Sequence, residues 1–230
     1  MTQKTEKTTA ATLVYAQLRR DILNGQLAPG QKLQIEAVSA RYGAGGNPVR
    51  EALSRLSSEG LVDRKEQRGF TVAPIGIENW RALVKTRCWA EGKALEESML
   101  ARDDAWEEHV VLAFHRLSRS NWTLSTETFV INPEWQKLHR GFHLALISGC
   151  GSPFLVQFCE NLMDQAQRYW FISASTAFLA RDSEAEHRAI LEATLDGDIA
   201  LSVRRLTEHY TLTLDIIEQE VASRRLDQVG

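Results

Sequence analysis

Apolar positions recur along this chain with a helical period, broken by one short stretch of extended character. Val14, Leu18 and Ile22 stand at i, i+4 and i+8 and predict a helix from about Ala11 to Asn24, stopped by Gly25. Leu27-Ala28-Pro29-Gly30 reads as a turn. A second helix, about Gln34 to Tyr42, aligns Ile35, Val38 and Tyr42 and ends at Gly43. In a third, Pro48 to Glu59, the residues Val49, Ala52, Leu53 and Leu56 make one buried face, and Gly60 stops it. Asn47 is placed to cap that helix, and Pro48 fits its first turn, where a missing N–H costs nothing. Leu61 to Lys65 and Gly69 to Ala73 are then two extended runs flanking Glu66-Gln67-Arg68-Gly69, a hairpin wing. Ala73-Pro74-Ile75-Gly76 reads as a linker. From Ile77 onward the pattern predicts helices at about 77–101, 103–118, 132–149, 153–174, 183–196 and 198–222. Ser183-x-x-Glu186 reads as a capping box, and Asp198 as the cap of the last helix after the Asp196-Gly197 turn. Residues 1–10 read as disordered, and the chain has neither repeats nor low-complexity segments.

The expected fold class is therefore mostly α: a winged helix-turn-helix over residues 1–75, then an all-α helical bundle over 76–230. Charge separates the same two parts. Residues 1–75 hold 11 Lys+Arg against 7 Asp+Glu, about +4, and the remainder holds 16 against 23, about −7; these sum to the net −3 of the chain. Only the first part suits nucleic acid. Arg50 lies off the buried face of the third helix, near its positive end. A cation there is disfavoured by up to roughly 1 kcal/mol until an anion such as a phosphate, or a guanine edge, meets it. Arg68 at the wing tip can reach phosphate or the minor groove, and a solvated loop charge is the plain alternative. Gly43-Ala44-Gly45-Gly46 is not a phosphate loop, since neither a preceding strand nor a following Gly-Lys-Ser/Thr is present. These glycines are expected to permit a tight turn and close backbone approach to DNA. No run of about 18 apolar residues spans a membrane, and the polar start lacks an apolar signal region, so a cytoplasmic protein is expected. Cys88, Cys150 and Cys159 read as buried thiols, and the six tryptophans as packing.

Four of the six histidines fall in the helical part at positions with an apolar side. His139 and His143 are i, i+4 on one helix, beside Trp135, Leu146 and Ile147, so their rings can converge on one ion. His187 lies a turn before Ile190 and Leu191, and His209 near the inner face of the last helix. Spacing alone leaves two readings: a metal site, or ordinary core and surface histidines.

The N-terminal motifs resemble the GntR family of bacterial transcription regulators. The resemblance covers residues 12–75 and rests on Gly25-x-Leu27-x-Pro29-Gly30, Leu33-x-x-Glu36, Pro48-Val49-Arg50-Glu51-Ala52-Leu53-x-x-Leu56, Glu59-Gly60-Leu61-Val62 and Arg68-Gly69-x-x-Val72. It implies DNA contacts from Gly45, Gly46, Asn47, Arg50, Arg68 and Gly69. The family usually has Ser or Thr where this chain has Gly45, and often Arg at Gly46. Contacts there must come from backbone, Asn47 and Arg50. Residues 80–220 resemble the all-helical FCD ligand-binding domain of the FadR branch. The matching pieces are Arg87-x-x-x-Glu91, His139-x-x-Phe142-His143, Glu186-His187-x-x-Ile190-Leu191-x-Ala193, Gly197-Asp198-x-Ala200 and His209. That resemblance implies a divalent metal held by His139, His143, His187 and His209, with His139 where the family has Asp or Asn. A ligand set of neutral imidazoles suits zinc or nickel over harder ions.

A CsiR-like subgroup is resembled through Ser39-x-Arg41-Tyr42, Gly149-Cys150-Gly151-Ser152 and Arg168-Tyr169-x-Phe171. It implies a small organic acid effector, short dicarboxylates included. An anion in an apolar pocket needs cations, and Arg87 and Arg168 are the candidates. The rival role of Arg87 is an intrahelical pair with Glu91. For Arg168 the rival is an exposed polar line with Asn161 and Gln165, opposite Phe154, Leu155, Phe158 and Leu162.

The expected function is a ligand-responsive regulator: a homodimer on a palindromic double-stranded operator, a repressor released by the acid, and not an enzyme. Two other classes compete. Against a metalloenzyme, the sequence shows no partnered pair of Glu-x-x-His motifs, no His-Glu-x-x-His and no obvious general base beside the cluster. A ligand-independent DNA-architectural protein leaves the histidine-bearing helical part without a role.

Overall fold

The computed structural model describes residues 9–65, 68–125, 127 and 130–226, with side chains for all of these except 170–180 and 220–226. Residues 1–8, Glu66 and Gln67 of the expected wing turn, and the Phe171 side chain lie outside that description. The chain divides into two units, Met1–Gly76 and Ile77–Gly230.

In the first unit α1 (Ala10–Leu23) starts on a Thr9 side chain that accepts the Thr12 N–H. Thr9 and Ala10 are thus ordered, against the expectation of disorder through residue 10. Two more helices follow, α2 (Ile35–Tyr42) and α3 (Gly46–Ser58). Gly43 ends α2 in the left-handed region, φ 64°, where a side chain would be strained. The face expected for α3 is buried: Val49, Ala52, Leu53 and Leu56 join Val14, Leu18 and Ile22 of α1 in one core. The start of α3 differs from expectation. Its cap is Gly45, extended at φ −72° and ψ 162°, so Asn47 is the second helical residue and not the cap. Pro48 still falls in the first turn, while Arg50 lies one residue beyond it. Gly45 does not need its glycine for the turn, and a Cβ there meets only the Pro48 ring, at 3.8 Å.

The wing strands are β2 (Val62–Lys65) and β3 (Gly69–Val72), antiparallel with Val62 opposite Val72 and Lys65 opposite Gly69. A third strand, β1 (Lys32–Leu33), pairs with the other edge of β3 and gives the order β1-β3-β2. Two residues are too few to show alternation in a sequence. Buried Leu33 anchors β1, and Gln31 accepts the Val72 N–H at 2.9 Å.

The second unit contains α4 (Ile77–Leu100), α5 (Asp104–Ser118), α6 (Pro133–Ile147), α7 (Pro153–Ala180), α8 (Ser183–Leu195) and α9 (Ile199–Leu226). Asp103, Asn132 and Ser152 cap three of them through their side chains. Asp198 accepts the Leu201 N–H at 2.9 Å at the start of α9, as expected. The α8 cap is Asp182, one residue before the expected Ser183; its carboxylate accepts the Ala185 N–H. That frees Glu186 for another task. Helix α4 packs on α7 and α9, α6 on α4, α5 and α7, and α8 on α5 and α9. On α7 the buried stripe is Cys159, Met163, Ala166 and Tyr169, while Phe154 and Phe158 are exposed. The face expected from its bulkiest apolar residues is therefore wrong, because α4 and α9 cover the neighbouring stripe. Between α5 and α6 the chain doubles back, with Thr123 bridged to Ile131, and Trp122 stacks on Trp135 at 5.2 Å.

Candidate metal centre and nucleic-acid interface

The start of α3 presents Gly45, Asn47 and Arg50 exposed, with Gly46 half-buried. Arg68 and Gly69 are exposed at the end of the wing, where Gly69 has φ 82° and Arg68 donates its N–H to the Lys65 carbonyl. All six expected DNA-contacting residues are thus accessible, and in the side chains only two cations, Arg50 and Arg68, are among them. Sequence reasoning missed what sets α2 against α1. The buried Asp21 carboxylate accepts from Arg41 at 2.9 Å and the Tyr42 hydroxyl at 2.8 Å. These charge-assisted bonds hold the first helix of the helix-turn-helix in register with α1.

In the second unit three helices bring four histidines together. Helix α6 supplies His139 and His143, α8 supplies His187, and α9 supplies His209. One ligand nitrogen from each lies within 4.8 Å of all the others. The outer nitrogens are held. Glu186 Oε2 lies 2.8 Å and Arg181 Nη2 3.0 Å from His209 Nδ1, and the Tyr210 hydroxyl lies 3.0 Å from His143 Nδ1. Tyr210 gives its own proton to buried Glu91 at 2.5 Å, so it accepts from His143. Ser183 Oγ lies 3.3 Å from His187 Nδ1. With Nδ1 so occupied, these three rings turn Nε2 inward, the arrangement by which outer partners fix the tautomer of metal-binding histidines.

The inner nitrogens fit a cation. His187 Nε2 is buried without a hydrogen-bond partner among the described residues. His139 and His143 face each other through Nε2 at 3.2 Å, so either a proton lies between them or both turn lone pairs to one ion. Burial depresses the proton affinity of all four. His187 is pushed down to about 3 by burial and then by the Arg181 charge. His139, His143 and His209 are held well below the ordinary imidazole range by burial and then by their neighbours in the cluster. Neutral imidazole is the form that ligates. Four nitrogen donors match a divalent transition metal.

Beside the cluster is a cavity of about 90 Å³ walled by Trp80, Trp122, Trp135, Met163 and Ala166, with Arg87, Arg140 and Arg181 at its polar parts. That volume admits several water-sized occupants, hence a small molecule. Arg87 lines it and also makes the intrahelical pair, 2.6 Å to Glu91. Arg168 is not on an exposed face: it is buried and donates to Gln165 at 3.1 Å. It is also absent from the residues around the cavity. Arg181 was not anticipated. It lies outside any periodic pattern, between α7 and α8, and bonds Glu186, Thr213 and the His209 carbonyl. Tryptophans 80, 122 and 135, expected as plain packing, form cavity walls. Each comes from a different part of the chain, so spacing carries no signal for them.

Comparison with known proteins agrees with both units. The family model "Bacterial regulatory proteins, gntR family" matches residues 10–72, and that of the FCD domain matches residues 82–212. An uncharacterized HTH-type transcriptional regulator, BphR, of Paraburkholderia xenovorans is 36% identical over 205 residues, covering 89% of this chain and 84% of the relative. The HTH-type transcriptional repressor GlaR of Escherichia coli is 32% identical over 212 residues, 90% of this chain and 96% of the relative. Among solved structures, E. coli McbR/YncC has the same fold, with a TM-score of 0.73 at 21% identity, covering 94% of this chain and 100% of the other. No described helix is long and apolar enough to cross a membrane. The relatives are transcription regulators and not enzymes. With a winged helix-turn-helix head and a helical unit bearing a histidine cluster that could hold a metal, this chain belongs to the GntR family of DNA-binding transcription regulators, in the branch that carries an FCD domain.

Proposed function

We propose that this regulator is a homodimeric repressor whose hold on a palindromic operator is released by a small organic acid bound at a metal in the helical unit. The observation that carries this reading is the convergence of four neutral histidines, one with an orphaned buried nitrogen, on a walled cavity. His139, His143, His187 and His209 hold the ion, zinc in first place and nickel as the alternative. A divalent ion held there would supply positive charge and Lewis acidity toward a carboxylate oxygen. Arg87 faces the acid from α4. Two heads, one per protomer, place Gly45, Gly46, Asn47 and Arg50 in successive major grooves, with Arg68 and Gly69 on the flanking backbone. The repressor sign is supported by the name of the E. coli relative, a transcriptional repressor. Trp80 and Arg87 lie on α4, which begins one residue after the head ends, so an occupant that shifts α4 acts on the segment joining the two units.

The test is selection of DNA sites from a random pool by the zinc-loaded protein, then titration of the selected site with and without short acids. A two-fold symmetric site is expected, weakened at least tenfold by an acid only when metal is present. Arg50→Ala, at an exposed position, should lower affinity by orders of magnitude with the fold intact. An asymmetric selected site, or affinity unmoved by Arg50→Ala, overturns the reading.

A further inference from the structure

The charges around the cavity are already spoken for. Arg87 holds Glu91 at 2.6 Å, Arg140 holds Asp164 at 2.9 Å, and Arg181 holds Glu186 at 2.5 Å. Each of the lining guanidiniums thus carries its own carboxylate, and the protein's contribution to the cavity is close to neutral. A divalent ion on four neutral imidazoles then leaves a charge of about +2 in a low-dielectric site. A monocarboxylate cancels half of that. A dicarboxylate cancels it, and its second carboxylate needs hydrogen-bond donors.

Two neutral donors meet that need. Trp80 Nε1 and Gln136 Nε2 are buried without a hydrogen-bond partner among the described residues, and both residues line the cavity. Trp80 is 1% exposed, and its ring is fixed by stacking on Tyr169 at 4.8 Å, so the direction of its N–H is set. It lies two turns before Arg87 on α4, roughly 10 Å along the axis at 1.5 Å per residue. Gln136 lies one turn before His139 on α6, on the face the histidines share. A buried donor left without an acceptor is costly, and such groups are rare unless something meets them. Both are donors only at these nitrogens, so what meets them is an oxygen acceptor.

We infer that Trp80 and Gln136 are specificity-determining residues that receive the second carboxylate of a short dicarboxylic effector, its first carboxylate being the one at the metal. This rests on the effector reading above and adds the class of acid and the residues that read it. Discrimination comes from neutral N–H groups. An acid lacking the distal oxygens leaves both donors buried and unmet, a loss that hydrogen-bonding sites turn into strong rejection.

Calorimetric titration of the zinc-loaded, full-length protein tests this. The probes are succinate, glutarate and adipate, each beside the monoacid of equal length, butyrate, valerate and hexanoate. The best diacid should bind at least tenfold tighter than its monoacid partner. Trp80→Phe, which keeps the stack on Tyr169, and Gln136→Met should each weaken that diacid at least fivefold. Monoacid affinity and zinc content should stay within twofold. Equal affinities for diacid and monoacid, or variants that weaken both alike, overturn the assignment while leaving an organic-acid effector in place. Binding of none of the six acids overturns the effector reading itself along with this assignment.

Discussion

Replacing His187 by leucine should have opposite consequences in metal-free and metal-loaded protein. The side chain is 1% exposed and its Nε2 has no partner among the described residues. In the metal-free protein that orphaned nitrogen costs about 1–3 kcal/mol. Leucine is similar in volume, removes the cost and gives up the hydrogen bonding of Nδ1 to Ser183, through Oγ at 3.3 Å and the backbone, worth about 0.5–1.5 kcal/mol. The net change for the apoprotein lies between slight destabilisation and a gain of about 2 kcal/mol. At roughly 2–4 °C per kcal/mol for a chain of this size, its Tm should hold or rise by several degrees. With free zinc at 1,000 times Kd, the wild-type protein gains about 4 kcal/mol, or roughly 8–16 °C. Loss of one ligand that weakens zinc by about 100-fold, the upper end of what outer partners alone cost, cuts that gain to about 1.4 kcal/mol. The assay is scanning calorimetry of both proteins in chelator and in a zinc buffer. Wild-type protein that ignores zinc and nickel refutes the metal centre. Apo His187→Leu protein that loses several kcal/mol refutes the claim that the nitrogen is orphaned, because it would then have a partner inside the chain.

Three further perturbations test other parts of the molecule. Gly149→Ala puts a Cβ 3.1 Å from the Trp106 ring and 3.3 Å from Ser98. That ring is pinned by its bond to the Ala145 carbonyl, so overpacking should cost about 1–3 kcal/mol in a denaturant titration; an unchanged midpoint would show that the ring yields. Asp21→Asn replaces a buried carboxylate that takes Arg41 and Tyr42, and should destabilise the head by about 1.5–3 kcal/mol, with operator affinity falling as α2 loosens. Full stability in the variant would remove the carboxylate as the link between α1 and α2. Gly45→Ser supplies the side chain that the α3 cap lacks, where only Pro48 is near, and should raise the stability of the head by a few tenths of a kcal/mol. A lower midpoint in urea would mean that the glycine is required by the backbone after all.

How much of this could be read in the chain follows from the range over which each signal acts. The face of α3 was legible because Val49, Ala52, Leu53 and Leu56 repeat with the helix itself, and one turn of sequence fixes which side is buried. Strand β1 was not, since its partners on β3, Thr71 for Lys32 and Phe70 for Leu33, are far along the chain and its own two residues carry no period. Caps failed by two residues at α3 and by one at α8, for a local reason. Asn47 and Ser183 are good cap residues, but the turn closed earlier, at Gly45 and Asp182, and a side chain cannot cap from inside the helix.

The candidate metal ligands were legible in type, because His139 and His143 at i, i+4 can only share a face, while His187 and His209 needed the family resemblance to join them. The residues that make the cluster a site lay beyond either route. Glu186 looked like half of a capping box, yet it lies 2.8 Å from His209 Nδ1 and pairs with Arg181. Tyr210 sits next to His209 on α9, yet it serves His143 on α6, relaying to Glu91 on α4. Such contacts are set by how helices cross, and crossing is decided by packing summed over whole faces. A sequence therefore exposes the groups that bind an ion sooner than the groups that orient them. If the proposed effector reading holds, the latter are where selectivity would reside, since the imidazoles would serve many acids and only the surrounding donors and walls would tell one from another.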